Sequence, residues 1–147
     1  MKNFLMIVLL IIGGQDYFAQ KDPLKRNLNS KSQNILANGI LDTVELAIAN
    51  SQPEDISPYL YVQTYLSFLS GVTGYYSSNQ AYYILENFFK EYKVASFKFE
   101  NIKLNTLTPF ATGTYYYDFN GNRGEAKVYI TLKLTGTTWK ITQIDIN

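Results

Sequence analysis

With no histidine and no cysteine in 147 residues, acid–base and nucleophilic chemistry in this chain falls to carboxylates and tyrosines. A carboxylate working as acid or base needs burial or a charged neighbour to move its pKa toward neutrality. Asp118 and Glu125 fall on a polar strand face opposite cations, and Asp145 alternates with Ile144 and Ile146, so all three are expected to point outward. Glu86 and Glu91 lie off a helical stripe. Glu45 and Glu100 are not placed by pattern, and a bulge beside Glu100 would turn it inward. No acid–base pair converges, so no catalytic residue is assigned. Metal binding would rest on oxygen ligands alone, and the one acidic pair, Glu54-Asp55, reads as charge at a helix start. Phosphate-cradling and nucleophile-elbow motifs are absent, and no metal or cofactor is expected.

Recognition is the other chemistry, and the chain is rich in it, with 13 Tyr, nine Phe and one Trp. Tyrosine joins a large apolar body to a polar tip, which suits surfaces that meet ligands or proteins. Tyr65, Tyr82, Tyr83, Phe89 and Tyr116 fall off the expected core faces and are candidates for such a surface. Set against this is β propensity, which alone places tyrosine on the outer face of a sheet. A second candidate is a pocket lined by Tyr115, Tyr117, Trp139 and Phe97 with the first helix as its wall. The alternative is that these rings fill the core.

The elements that position these residues follow from patterning. Lys2, the apolar run Phe4 to Ile12, a Gly-Gly break and Ala19 form a secretory signal pattern over residues 1–19, too short to span a bilayer. Export to the periplasm or beyond follows, with no stable membrane insertion after cleavage. Residues 20–31 lack apolar periodicity and are expected to be mobile. From Ser32, the stripe Leu36, Ile40, Val44, Ala47 and Ile48 predicts a helix. Pro53 and Pro58 bracket a helical turn, and Leu60 to Phe68 alternates as a strand whose apolar face includes Val62. After an SGVTG turn, Ser77 and Gln80 form a capping box, and Ala81, Ile84, Leu85, Phe88 and Tyr92 stripe the helix it starts. Net charge is +1, which offers nothing to nucleic acid at long range.

Downstream of Lys93 the period becomes that of strands. Phe97 and Phe99 differ in parity from Ile102 and Leu104, which predicts a bulge near Glu100 or Asn101. Asn120-Gly121 predicts a two-residue hairpin turn pairing Asp118 with Arg123, Tyr116 with Glu125, Thr114 with Lys127 and Tyr115 with Ala126. A turn at Thr135-Gly136 would pair Leu132 with Trp139 and Ile130 with Ile141, with a bulge near Thr142 or Gln143. The fold expected is α+β: a strongly curved antiparallel sheet packed on N-terminal helices as a cone, in one domain over 32–147.

Tyr76-Ser77, Gln80-Ala81, Ile84-Leu85, Phe88-Phe89, Phe97 to Phe99, Ala111-Thr112-Gly113 and Trp139 to Ile146 carry a resemblance. The chain resembles the nuclear transport factor 2-like (cystatin-like) superfamily, and within it a small exported domain of unknown function from Bacteroidota. The resemblance implies a cone-shaped sheet wrapped on helices, and no particular activity. The expected function is non-catalytic binding of a small apolar ligand or an envelope protein, with a homodimer through the outer sheet face as a further expectation. The alternative is a small isomerase or dehydratase using a carboxylate inside the cone.

Overall fold

The computed structural model describes the backbone of residues 23–147 and the side chains of residues 27–147. The expected signal peptide lies outside the described residues. Helix α1 (Pro23–Ala49) starts well before the expected Ser32, so the stretch expected to be mobile is helical from Pro23 on. Its buried face is Ala37, Leu41, Val44, Ala47 and Ile48, while Leu36, placed on that stripe by spacing, is exposed. Pro53 opens α2 (Pro53–Ile56), and the helical path does not stop before Pro58 but runs through it as a 3-10 turn, Ser57–Tyr59.

β1 (Leu60–Phe68) buries Leu60, Thr64, Leu66 and Phe68. Val62 departs from the expected face and is exposed, because the pairing of β1 is irregular between Leu60 and Tyr65. A strand that the pattern does not predict follows: β2 (Thr73–Ser77) pairs back on β1 in the place expected to be only a turn. Helix α3 (Ser78–Glu91) begins at the capping box, with Ser77 Oγ accepting from the Gln80 N–H at 3.3 Å and Gln80 Oε1 accepting from the Ser77 N–H at 3.0 Å. Replacing Ser77 by alanine leaves the Gln80 N–H without its acceptor while the backbone N–H at position 77 keeps Gln80 Oε1, and we expect a loss of about 1 kcal/mol in a urea titration.

The remaining strands are β3 (Lys93–Lys103), β4 (Phe110–Phe119), β5 (Asn122–Thr135) and β6 (Thr138–Ile146). They form the expected four-stranded meander, within a six-stranded sheet of order β2-β1-β6-β5-β4-β3. The sheet is curved and unclosed. It is antiparallel except where β1 lies parallel to β6. The β4–β5 register is the expected one throughout, and Asn120 and Gly121 have the positive φ of a type I′ turn. Two bulges fall where parity demanded, at Glu100 and at Thr142, the latter as the unmatched residue between Leu132↔Ile141 and Thr131↔Gln143, and a third, at Ala95, is not among those expected.

The β5–β6 register differs by two residues from expectation. Leu134 faces Trp139 and Leu132 faces Ile141, since the turn is Gly136-Thr137 rather than Thr135-Gly136. α1 and α3 cover one face of this sheet. α1 is tied to the edge strand β3 by Glu45, whose carboxylate accepts the Phe99 N–H at 2.6 Å. That N–H sits beside the bulge on a free edge, where an unpaired donor would be costly.

Candidate binding surface

Aromatic rings pack the cone interior among the described residues. Tyr115 is wholly buried, and its hydroxyl donates to the Tyr92 carbonyl at 2.6 Å. Burial pushes its pKa far above the ordinary phenol value. Phe88, Phe89, Phe97 and Tyr117 lie between 5.8 and 6.4 Å from the Tyr115 ring, centre to centre. Phe89 is therefore a core residue, correcting its expected place off the core. Helix α3, rather than the first helix, forms the wall of this cluster. Tyr117 is half-buried, with its ring tip against Gly124, where any Cβ would collide with it.

Trp139 does not join them. Tyr115 faces Ala126 and Trp139 faces Leu134, eight residues apart on β5, or about 26 Å. The indole is buried and donates to the Gln33 carbonyl of α1 at 3.1 Å. Beside it opens an apolar cleft of about 230 Å³ lined by Leu36, Ile40, Tyr59 and Trp139, with Lys140 at its rim donating to the Pro58 carbonyl at 2.8 Å. The four residues expected to line one pocket thus belong to two regions.

The carboxylates lie elsewhere. Glu100 is exposed and accepts from the Thr114 hydroxyl at 2.6 Å on the outer face, so the bulge does not turn it inward. Lys127 donates to the same Thr114 oxygen at 2.6 Å. Glu45 is committed to β3, and Asp118 meets Arg123 at 3.5 Å. Among the described residues the buried polar side chains are three threonines, 64, 114 and 131.

The exposed aromatic side chains among the described residues are Tyr75 and Tyr116 on the outer face of the sheet and Tyr83 on α3. Register places Tyr75, Tyr65, Gln143, Thr131 and Phe110 in one row across five strands. Thr73, Ser67, Asp145, Tyr129 and Thr112 form the next. Tyr75 is 72% exposed and meets half-buried Tyr65 edge-on at 5.2 Å. Phe110 and Tyr129 pair at 5.4 Å, and Lys133 stands 5.5 Å above the Tyr61 ring. Tyr116 is exposed on the same face, toward the other end of β4. Tyr82 and Tyr83 stack edge-on at 5.1 Å on α3, away from these rows.

Asp145 lies between the two aromatic ends of this face. One carboxylate oxygen accepts from Gln143 Nε2 at 2.7 Å; the other is buried without a partner. Burial raises the pKa, and the Gln143 hydrogen bond opposes the rise. A carboxyl whose folded pKa exceeds its unfolded one holds its proton more tightly when folded, so stability falls as pH rises through that interval. Asp145→Asn removes this loss. The melting-temperature difference between variant and wild type should grow in the variant's favour from about pH 3 to about pH 7.

These rows sit on the convex side of an α+β cone, and the fold is nuclear transport factor 2-like, with cystatin-like relatives. The chain belongs to the family described as Domain of unknown function (DUF4783), whose model matches residues 41–147. A DUF4783 family protein from Bacteroides ovatus is 23% identical, with TM-score 0.62, over 71% of this chain and 90% of its own. One from Bacteroides uniformis is 19% identical, with TM-score 0.65, over 72% and 94%. A hypothetical protein from Catenulispora acidiphila with a ketosteroid isomerase-like fold, solved in complex with trimethylamine, is 11% identical, with TM-score 0.59, over 74% and 83%. No curated protein matches the chain.

Of the outer-face rings, alternation identifies Tyr65 and Tyr116. Tyr75 escapes it together with its strand. Phe110 and Tyr129 are also absent from the sequence candidates, although Tyr129 alternates with Val128 and Ile130, a signal sufficient to find it.

Proposed function

We propose that this is an exported, non-catalytic binding domain, periplasmic or secreted, that engages an envelope protein through the outer face of its sheet. The observation carrying this reading is the contrast between a cone filled by aromatic rings and an outer row whose rings, Tyr75 above all, remain open. Rigid tyrosines contribute contact area at little entropic cost, and the free edge of β2 adds backbone donors and acceptors. Catalysis finds less support, because Glu100, Asp118 and Asp145 lie on the outer face and Glu45 is spent on the β3 edge.

A small apolar ligand is the second reading, and it rests on the cleft beside Trp139. At about 230 Å³ that cleft is smaller than the roughly 300–1,000 Å³ of ordinary ligand pockets, which favours the protein partner. Native mass spectrometry of the protein taken from its own envelope separates the two. A heteromer that Tyr65→Ser with Tyr75→Asp abolishes, at unchanged melting temperature, supports the sheet surface. A heteromer indifferent to both substitutions rules it out, and a retained small molecule transfers the function to the cleft. An intact mass that keeps residues 1–19 would contradict export.

A further inference from the structure

α1 carries a second apolar stripe that is left exposed among the described residues. Leu28, Ile35 and Leu46 are 70%, 64% and 62% exposed, and a Cβ on exposed Gly39 would meet nothing within 4 Å. At 100° per residue these four positions fall within about 40° of one another, on the side of the helix opposite buried Ala37, Leu41 and Val44. The stripe runs about 27 Å from Leu28 to Leu46. Leu28, Ile35 and Gly39 precede the residues matched by the family model, and Leu46 lies within them.

Its order is palindromic. Leu28 and Leu46 are equidistant from Ala37, and so are Ile35 and Gly39. A two-fold axis crossing the helix at that level sets two antiparallel copies so that Leu28 meets Leu46 of the other copy. In the same arrangement Ile35 enters the space left by Gly39 of the other copy. A two-fold interface has to be self-complementary in this way. The flanks agree. In an antiparallel pair each flank meets the same flank of its mate; one side carries exposed Lys31 and Asp42, which come opposite each other twice, and the other carries Ser32 and Thr43. Asp42 also accepts from Asn38 Nδ2 at 2.9 Å, which holds its carboxylate on that flank.

We propose that α1 is the homodimer interface of this protein: a second copy docks antiparallel on Leu28, Ile35, Gly39 and Leu46. The sheet face stays free for the partner proposed above, so the homodimer expected there is moved to the helix.

Sedimentation equilibrium of the purified protein should give a dimer, and Ile35→Glu should weaken it roughly a hundredfold by placing a carboxylate in the apolar seam. Gly39→Leu should weaken it as well. Because leucine favours helix over glycine, that loss cannot come from unfolding of α1. The chain has no cysteine, so single cysteines report register cleanly. Leu28→Cys mixed with Leu46→Cys should form a heterotypic disulfide, while neither alone should cross-link. A monomer at roughly 100 μM, a dimer that survives both Ile35→Glu and Gly39→Leu, or homotypic cross-links would each overturn the proposal. So would a dimer lost with Tyr75→Asp, which would place the second copy on the sheet.

Discussion

Tyr115→Ala should lower the unfolding free energy by roughly 3–5 kcal/mol. The ring is inaccessible to solvent and lies among Phe88, Phe89, Phe97 and Tyr117, so its removal leaves a cavity that neighbours on different elements cannot close together. It also strips the Tyr92 carbonyl of its donor. Tyr115→Phe isolates that second effect, expected at about 1–2 kcal/mol. Both are read from urea midpoints at constant slope. With a total stability of about 5–15 kcal/mol typical of domains, the alanine variant sits near the edge of folding. A loss below about 1.5 kcal/mol would mean that the ring projects into open space, and the filled-cone description would be wrong.

Gly113→Val is expected to cost about 3 kcal/mol, seen as a melting temperature lower by roughly 10 °C. Valine is a strand former and would gain from β4 on propensity alone. Against that, a Cβ at Gly113 runs into the Lys98 carbonyl of β3 and lies 3.1 Å from the Phe97 ring. The backbone oxygen cannot rotate away as a side chain would, and β3 is already bent by the bulge at Glu100. A variant that melts with wild type would show that β3 moves freely, and the Glu45 tie to Phe99 would then hold little.

The same neighbourhood shows how far residue order alone specifies this fold. Hairpin pairing from Ala111 to Ile130 is legible in the sequence because large residues face small ones and opposite charges face each other around Asn-Gly. Glu100 and Thr142 bulge where parity switches, which is a local property of the chain. The β5–β6 slip is invisible for a related reason: a shift of two residues leaves every side chain on its own face. β2 escapes because Gly71 just before it and Gly74 within it, both at positive φ, read as turn. Phe89 misleads because a helix seated in a curved sheet is buried over a wider arc than one stripe. Of the candidate surface, single residues are legible and the rows are not, since the rows depend on β1 lying beside β6.

That adjacency governs the order in which the molecule can be built. Leu66 pairs with Ile144 and Phe68 with Ile146, contacts separated by about half the chain, whereas β4 and β5 close through two residues. Distant pairing has to overcome loop-closure entropy before it is rewarded, so it forms late. Pulse-labelled hydrogen exchange during refolding should protect amides of β4 and β5 well before those of β1. Until β6 is in place, β1 and β2 are a detached ribbon carrying Tyr65 and Tyr75, and the surface assigned to recognition comes into being only with the final strand.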